Sequence, residues 1–262
     1  MATVRRFERY VAIGDSTTEG LDDPDGVGGF RGWANRLAER LAAAQGSVLY
    51  ANLGVRGRGA REIRDEQLAV AAAMRPDLAT VVAGMNDLLR WDFDARRIAA
   101  DVGEMQRVLV EGGAVVMTFT LPDVSRRMPI RGALPKRTAA LNHELREISA
   151  RSGAMLLDLA AFEVSADPRM WSPDRLHLNA EGHARTAHAL AYHLAVPGVD
   201  DSWRDPLPPT SRSVASRLAD DVHWGRHYVV PWLWRRMRGR SAGDHLTAKR
   251  PELRPLLAPN RT

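Results

Sequence analysis

The stretch Val11-Ala-Ile-Gly-Asp-Ser16-Thr-Thr-Glu-Gly20 decides how this chain is expected to fold. A short apolar run ends abruptly in glycine and polar residues, a pattern that predicts a buried strand followed by a tight turn. Open α/β sheets bind their ligands at the carboxyl ends of such strands. Ser16 is therefore either a functional residue at the sheet edge or the N-cap of a following helix, and this segment alone leaves both open.

The rest of the first 195 residues alternates in the same way between apolar runs and segments of helical periodicity. Further strands are predicted at residues 48–53, 77–83, 114–120 and 154–159, and helices at 33–44, 61–74, 94–111, 136–152 and 179–194. Strands that alternate with helices favour a parallel sheet covered on both faces. Right-handed crossovers bring the carboxyl ends of all strands to one edge. The turns after the first three strands should therefore lie together.

Composition narrows the class of protein. The chain has 262 residues and no cysteine, so disulfides and thiolate chemistry are excluded. No apolar run approaches the roughly 20 residues that span a bilayer, and the first residues lack the apolar region of a secretory signal, so a cytoplasmic protein is expected. The surplus of positive charge lies in the tail: residues from Asp200 onward hold 12 Lys+Arg and 7 Asp+Glu, and the preceding residues hold 25 of each. Nucleic acid is an unfavoured partner for the part before the tail.

Polar side chains in three segments suit nucleophilic catalysis. Asn86 follows the third predicted strand within Gly-Met-Asn-Asp, and Asp174 stands three residues before His177, just ahead of the final helix. A serine nucleophile needs a base to take its proton and an acid to orient that base. Ser16, His177 and Asp174 are the residue types that these roles require.

The attacked carbonyl also needs hydrogen-bond donors for its developing negative charge. The N–H of Ser16, a glycine N–H after the second strand and the side-chain amide of Asn86 could supply three. Gly54 and Gly57 both follow that strand. No Gly-x-Ser-x-Gly elbow is present, which argues against the standard α/β-hydrolase arrangement.

Together and in this order, these segments resemble the SGNH hydrolases, the GDSL-like esterases and lipases, over about residues 8–195. The matching blocks are Gly14-Asp15-Ser16, Gly57 with the residues before it, Gly84-Met-Asn86-Asp87 and Asp174-Arg-Leu-His177. The resemblance implies an α/β fold, a three-layer α/β/α sandwich of flavodoxin-like type with a parallel five-stranded sheet.

The same resemblance implies a role for each site residue. Ser16 would be the nucleophile, His177 the base and Asp174 the residue that orients it. The N–H groups of Ser16 and Gly57 and the side chain of Asn86 would form the oxyanion hole. Arg58 stands where the family has a small or acidic residue, so Gly54 is the alternative to Gly57 for that donor.

Three other polar residues near these motifs are predicted to be structural. Asp15 is expected to bond neighbouring turns, Asp87 to hold the third turn in shape, and His183 to have a structural or surface role in the final helix.

The expected activity is hydrolysis of carboxylic esters, with a short acyl or acetyl group on a small molecule, lipid or sugar, through an acyl-enzyme on Ser16. No cofactor and no metal are expected. A thioesterase or acyltransferase with the same site is the near alternative. An inactive hydrolase-like module that binds an anionic surface through its tail is the alternative of another class. The intact set of Ser16, Asn86, Asp174 and His177 speaks against that last possibility.

Residues 200–262 are expected to form an Arg/Trp-rich extension of a catalytic domain that spans residues 1–199. A proline-rich stretch opens the extension, and its aromatic residues are interleaved with arginines: Trp224, Tyr228, Trp232 and Trp234. We expect the aromatic rings to pack on the domain or on a second subunit, with the arginines reaching solvent. Peripheral contact with a membrane is the alternative, nucleic acid is a less favoured partner of the tail, and the oligomeric state stays open.

Overall fold

A six-stranded sheet forms the centre of the protein, whose computed structural model describes residues 5–127, 132–209, 221, 223–229 and 243–258. The strand order is β5-β4-β3-β1-β2-β6. Their bounds are β1 Arg9–Gly14, β2 Ser47–Asn52, β3 Leu78–Val82, β4 Val115–Phe119, β5 Met155–Leu157 and β6 Arg250–Leu257. The first five strands are parallel, as predicted, and β6 pairs antiparallel with β2.

Helices cover both faces of the sheet. Their bounds are α1 Ser16–Glu19, α2 Gly32–Gln45, α3 Ala60–Ala73, α4 Met85–Leu88, α5 Ala95–Glu111, α6 Leu134–Ser152 and α7 Ala180–His193. α2 packs on α7 in one layer, and α5 packs on both α3 and α6 in the other. The α/β/α sandwich is confirmed. α6 begins two residues before its prediction because Pro135 lies in its first turn, where the missing N–H has no helical partner to lose.

The strands read as apolar runs because the sheet is buried on both faces. All five residues of β3 are buried, as are the last five of β1. Tyr10 and Tyr50 stack across the β1–β2 pair with ring centroids 5.1 Å apart. Each fully buried large apolar side chain contributes about 1.5–3 kcal/mol to folding. This packing fixes the strand ends that carry the polar turns.

The sixth strand comes from the C-terminal segment and was not predicted. Its sequence contains Pro251 and Pro255, which count against a strand, but an edge strand tolerates proline where the N–H would face outward. The pairing continues past the strand, since the N–H of Ala258 donates to the carbonyl of Gly46 at 2.9 Å. Sequence periodicity cannot reveal an antiparallel partner about 200 residues away, which is why the prediction stopped at five strands.

The C-terminal segment also binds the loop that precedes α2. The Nζ of Lys249 donates to the carbonyl oxygens of Phe30 and Arg31, at 2.7 and 2.9 Å. Trp232 and Trp234 lie outside the described residues. Within the described ranges, no helix has both the length and the apolar run that crossing a bilayer requires.

Candidate active site

Ser16 is the first residue of α1, directly after β1. The N-cap of this short helix is Asp15, whose carboxylate accepts the N–H of Thr17 at 2.9 Å. The possibility that Ser16 itself caps the helix is therefore wrong: the preceding carboxylate satisfies the free N–H group. The hydroxyl of Ser16 is left to bond elsewhere.

The structure brings Ser16 together with two residues that lie about 160 positions later. The Oγ of Ser16 is 2.9 Å from Nε2 of His177. The Nδ1 of His177 is 2.5 Å from Oδ2 of Asp174. The other oxygen of Asp174 accepts the backbone N–H groups of Leu176 and His177, at 2.9 and 3.0 Å. The carboxylate is thus held by its own turn and faces the imidazole.

The contact between His177 and Asp174 shifts the pKa values of both side chains. Burial alone would lower the pKa of His177, but the hydrogen bond and charge of Asp174, with smaller contributions from Asp22 and Asp15, raise it above its usual 6.5. Burial would raise the pKa of Asp174, but the hydrogen bond and charge of His177 and the two backbone N–H groups lower it below its usual 3.8. The site therefore favours an ionised carboxylate beside an imidazole that readily takes a proton.

Two buried amide side chains support the turns around Ser16. Gln67 of α3 pairs with both backbone groups of Gly14, accepting its N–H at 2.8 Å and donating to its carbonyl at 2.9 Å. Asn52 at the end of β2 donates to the carbonyl of Thr18 at 2.8 Å and accepts the N–H of Gly54 at 2.9 Å. Sequence reasoning missed Gln67, because nothing in a helical pattern marks which polar residue faces a distant turn.

Asn86 reaches the same edge from the turn after β3. Gly84 opens this turn with φ +114°, a conformation that favours glycine. The Nδ2 of Asn86 donates to Oδ2 of Asp15 at 3.2 Å and to the carbonyl of Arg58 at 3.0 Å. Asp15 thus bonds both its own turn and the third one, and burial raises its pKa to about 6.

Gly54 and Gly57 differ in what their N–H groups do. The N–H of Gly54 is taken by Asn52, as described above. Gly57 lies in the next turn with φ +81°, between Arg58 and Arg56, whose N–H is bound by Glu19 at 2.9 Å. Among the residues that the structure describes, no acceptor binds the N–H of Gly57.

Asp87 and His183 make internal contacts. Asp87 accepts the N–H of Ala60 at 3.0 Å and so ties the third turn to the start of α3. His183 is fully buried: its Nδ1 accepts the N–H of Trp33 at 3.0 Å, and its Nε2 lies 3.0 Å from the carbonyl of Leu21. Burial lowers the pKa of His183, so the ring is neutral with its proton on Nε2.

Asp22 is a neighbour of the site that the sequence did not reveal. It adopts φ +67°, and one of its oxygens lies within 4.8 Å of ligand atoms of both Asp174 and His177. Three such groups could in principle hold a metal ion. Both ring nitrogens of His177 are already engaged, by Asp174 and Ser16, so this arrangement suits proton transfer better than metal binding.

The comparison with protein families matches the sequence to one of them. Residues 12–185 match the GDSL-like Lipase/Acylhydrolase family. The chain belongs to this family. It is an SGNH-type ester hydrolase, as its sequence motifs predicted. A search of curated proteins found no significant match to this hydrolase.

Solved structures share the hydrolase's fold at low sequence identity. Acetylxylan esterase Axe2 from Geobacillus stearothermophilus is 16% identical, with a TM-score of 0.61, and the match covers 76% of the hydrolase and 99% of Axe2. The carbohydrate acetylesterase Est24 from Sinorhizobium meliloti is 17% identical, with a TM-score of 0.57 and coverages of 72% and 98%. The psychrotrophic esterase EstA from Pseudoalteromonas sp. is 15% identical, with a TM-score of 0.57 and coverages of 72% and 96%.

A largely apolar cavity of the hydrolase lies beside the turn that carries Ser16. Asp15 and Thr17, on either side of the serine, reach it. Its wall is built from the ends of β3 and β4 and from the segments around α7, and includes Val82, Phe119, Leu121, Met170, Trp171 and Trp203. An apolar space so close to the serine can accept hydrocarbon more readily than charged groups.

Proposed function

We propose that this hydrolase cleaves carboxylic esters through a covalent acyl-enzyme on Ser16. The observation that carries the proposal is the continuous hydrogen-bonded chain from Ser16 Oγ through His177 to the carboxylate of Asp174. A binding module without catalysis has no need of a hydroxyl, an imidazole and a carboxylate in that order at those distances.

Acylation begins with proton transfer from Ser16 to Nε2 of His177 as Oγ attacks the ester carbonyl. Asp174 keeps the imidazole proton on Nδ1, so that Nε2 presents a lone pair, and then stabilises the imidazolium. The imidazolium gives its proton to the departing alkoxide oxygen, and the alcohol leaves. A water molecule then attacks the acyl-enzyme with His177 again as base, releasing the acid and restoring the Ser16 hydroxyl.

The oxyanion of the tetrahedral intermediate is assigned to three donors. The N–H of Ser16 and the N–H of Gly57 are backbone donors, and Gly57 is preferred to Gly54 because Asn52 already binds the Gly54 N–H. The third is the amide of Asn86, which releases the carbonyl of Arg58 or shares its proton when charge develops. A charged oxygen is the stronger acceptor, since charge-assisted hydrogen bonds are roughly twice as strong as neutral ones.

The proposed substrates carry short acyl groups, acetyl above all. Two solved structures that share the fold, Axe2 and Est24, are described as acetyl-ester hydrolases of carbohydrates. The largely apolar lining of the cavity next to the Ser16 turn favours an uncharged acyl group over a charged one.

The test combines turnover with covalent labelling. p-Nitrophenyl esters from acetate to decanoate are hydrolysed by the wild type, by Ser16→Ala and by a control variant of an exposed serine, Ser47→Ala. We expect the Ser47 variant to match the wild type and the Ser16 variant to lose at least 10³-fold in kcat. A fluorophosphonate should add once, on the peptide that contains Ser16. Equal turnover by Ser16→Ala, or an adduct on another residue, would refute the proposal.

A further inference from the structure

A short piece of the C-terminal segment lies against the turn that carries Asp174. The indole Nε1 of Trp224 donates a hydrogen bond to the backbone carbonyl of Asp174 at 2.7 Å. This bond is made to the backbone of the residue that carries the catalytic carboxylate, and it is separate from the bonds within the turn. Trp224 lies beyond residue 185, where the family match ends.

Arg175 connects the same two elements through its side chain. Its guanidinium is 2.6 Å from Oδ1 of Asp221 and lies 5.0 Å from the centre of the Trp224 ring. Its backbone has φ +66°, the left-handed region that residues with a side chain rarely adopt. Such a conformation persists only where the surroundings hold it. The N–H of Arg175 donates to the carbonyl of Ser172 at 2.9 Å within the turn, and the contacts with Asp221 and Trp224 add a restraint from outside it.

The restrained turn sets the distance between Asp174 and His177. Asp174, Arg175 and His177 are separated by so few bonds that a change at the Arg175 backbone moves the carboxylate relative to the imidazole. From inside, Asp174 Oδ1 bonds the N–H groups of Leu176 and His177. From outside, the tail bonds the Asp174 carbonyl and the Arg175 side chain, so the turn is fixed on both sides.

This chain is longer than three of the solved structures that share its fold. The matches to Axe2, Est24 and EstA cover 96–99% of those proteins but only 72–76% of this chain. About a quarter of the chain therefore has no counterpart in them. Trp224 and Asp221 lie beyond residues 12–185, so their contacts with the Asp174 turn fall outside the part of the chain that matches the family.

We propose that Trp224 and Asp221 are positioning residues, which act through the Asp174–Arg175 turn to align Asp174 with His177. The inference rests on the proposed function of that pair. The tail thereby completes the acid–base machinery without touching substrate, and its docking becomes a condition for full activity.

The test compares variants that remove one contact each. Trp224→Phe removes the N–H donor and keeps an aromatic ring under Arg175, Asp221→Ala removes the ion pair, and Asp221→Glu is the conservative variant. Arg226→Gln, an exposed position in the same segment, is the control. We expect Trp224→Phe to lower kcat roughly 3- to 10-fold, as the loss of one hydrogen bond predicts, with KM within about two-fold because the substrate contacts are intact. Asp221→Glu should restore most of what Asp221→Ala loses.

The pH profile separates positioning from general stabilisation. The carboxylates facing His177 are Asp174, Asp22 and Asp15. If the tail aligns Asp174, Trp224→Phe should move the acid limb of kcat/KM to lower pH, because a misaligned carboxylate supports the imidazolium less. Unchanged kcat and pH profile in Trp224→Phe and Asp221→Ala would overturn the proposal. So would equal losses in the Arg226→Gln control.

A second measurement does not depend on turnover. NMR titration of the His177 ring reports its pKa in wild type and Trp224→Phe directly. If the wild type hydrolyses no ester but the pKa of His177 differs between the two proteins, the proposed function is refuted and the positioning role stands. If the wild type is active and the two pKa values are equal, the positioning role alone is refuted.

Discussion

Asp174→Asn is the substitution that tests the proposed chemistry most directly. The asparagine can keep the two bonds from the N–H groups of Leu176 and His177 to its oxygen, so the turn should retain its shape. Its NH₂ group then faces Nδ1 of His177 where a carboxylate oxygen now lies at 2.5 Å. A donor there demands a lone pair on Nδ1 and moves the ring proton to Nε2. Ser16, 2.9 Å away, then meets a donor instead of a base.

The expected loss follows from the two effects combined: the wrong tautomer and an unsupported imidazolium. The same change in the serine protease triad lowers kcat by about 10⁴-fold with the geometry intact, which corresponds to about 5 kcal/mol of transition-state stabilisation. We expect a loss of this order here for p-nitrophenyl acetate at pH 8, with little change in the midpoint of thermal unfolding. The pKa of His177 should also fall, since the group that raises it most is gone.

Asp22→Asn is the matched control, because it removes a carboxylate of the same neighbourhood that makes no bond to His177 among the described contacts. Its kcat at pH 8 should stay within about three-fold of the wild type, since the ring tautomer is unaffected. Its acid limb should move to lower pH, because the charge of Asp22 helps to raise the pKa of His177. An Asp174→Asn variant with kcat within ten-fold of the wild type, or equal losses in both variants, would refute the assignment of Asp174.

Three further results are expected. Asn86→Ala should lower kcat about 10²- to 10³-fold on the same ester as one oxyanion donor is lost, and an unchanged kcat would remove Asn86 from the oxyanion hole. Gln67→Met removes the acceptor of the Gly14 N–H, while the Gly14 carbonyl still accepts the N–H of Val55 at 3.2 Å, so urea unfolding should report a free energy lower by about 1–3 kcal/mol; a loss below about 1 kcal/mol would show that the turn finds other partners. His183 has a pKa lowered by burial, so its share of stability is complete above pH 6.5 and is lost as the pH falls through that lowered pKa. The thermal midpoint of His183→Gln should therefore depend less on acid pH than that of the wild type, and parallel curves would contradict this.

The sequence predicted the parallel sheet and the meeting of its polar turns because both depend on local signals. Apolar runs that end in glycine mark strand ends, and right-handed crossovers bring those ends to one edge of the sheet. It could not predict β6, whose prolines resemble a loop until β2 is known to offer an unpaired edge. Nor could it predict the bond from Trp224 to Asp174, because the tail's aromatic pattern indicates packing without saying against what. The sequence did not indicate Asp22 for a related reason. Its approach to His177 depends on a positive φ, which no residue pattern predicts.

β6 also protects the edge of the sheet beside β2 from pairing with another chain. Without this strand, β2 would present an unpaired row of backbone groups beside Val48 and Tyr50, the kind of edge on which another chain can add a strand. With it, the outermost strand carries Pro251 and Pro255, which cannot donate hydrogen bonds, and charged side chains between them. During synthesis this edge of β2 stays open until β6 has left the ribosome. A chain cut before residue 250 should fail first by aggregating, whatever the state of its catalytic residues.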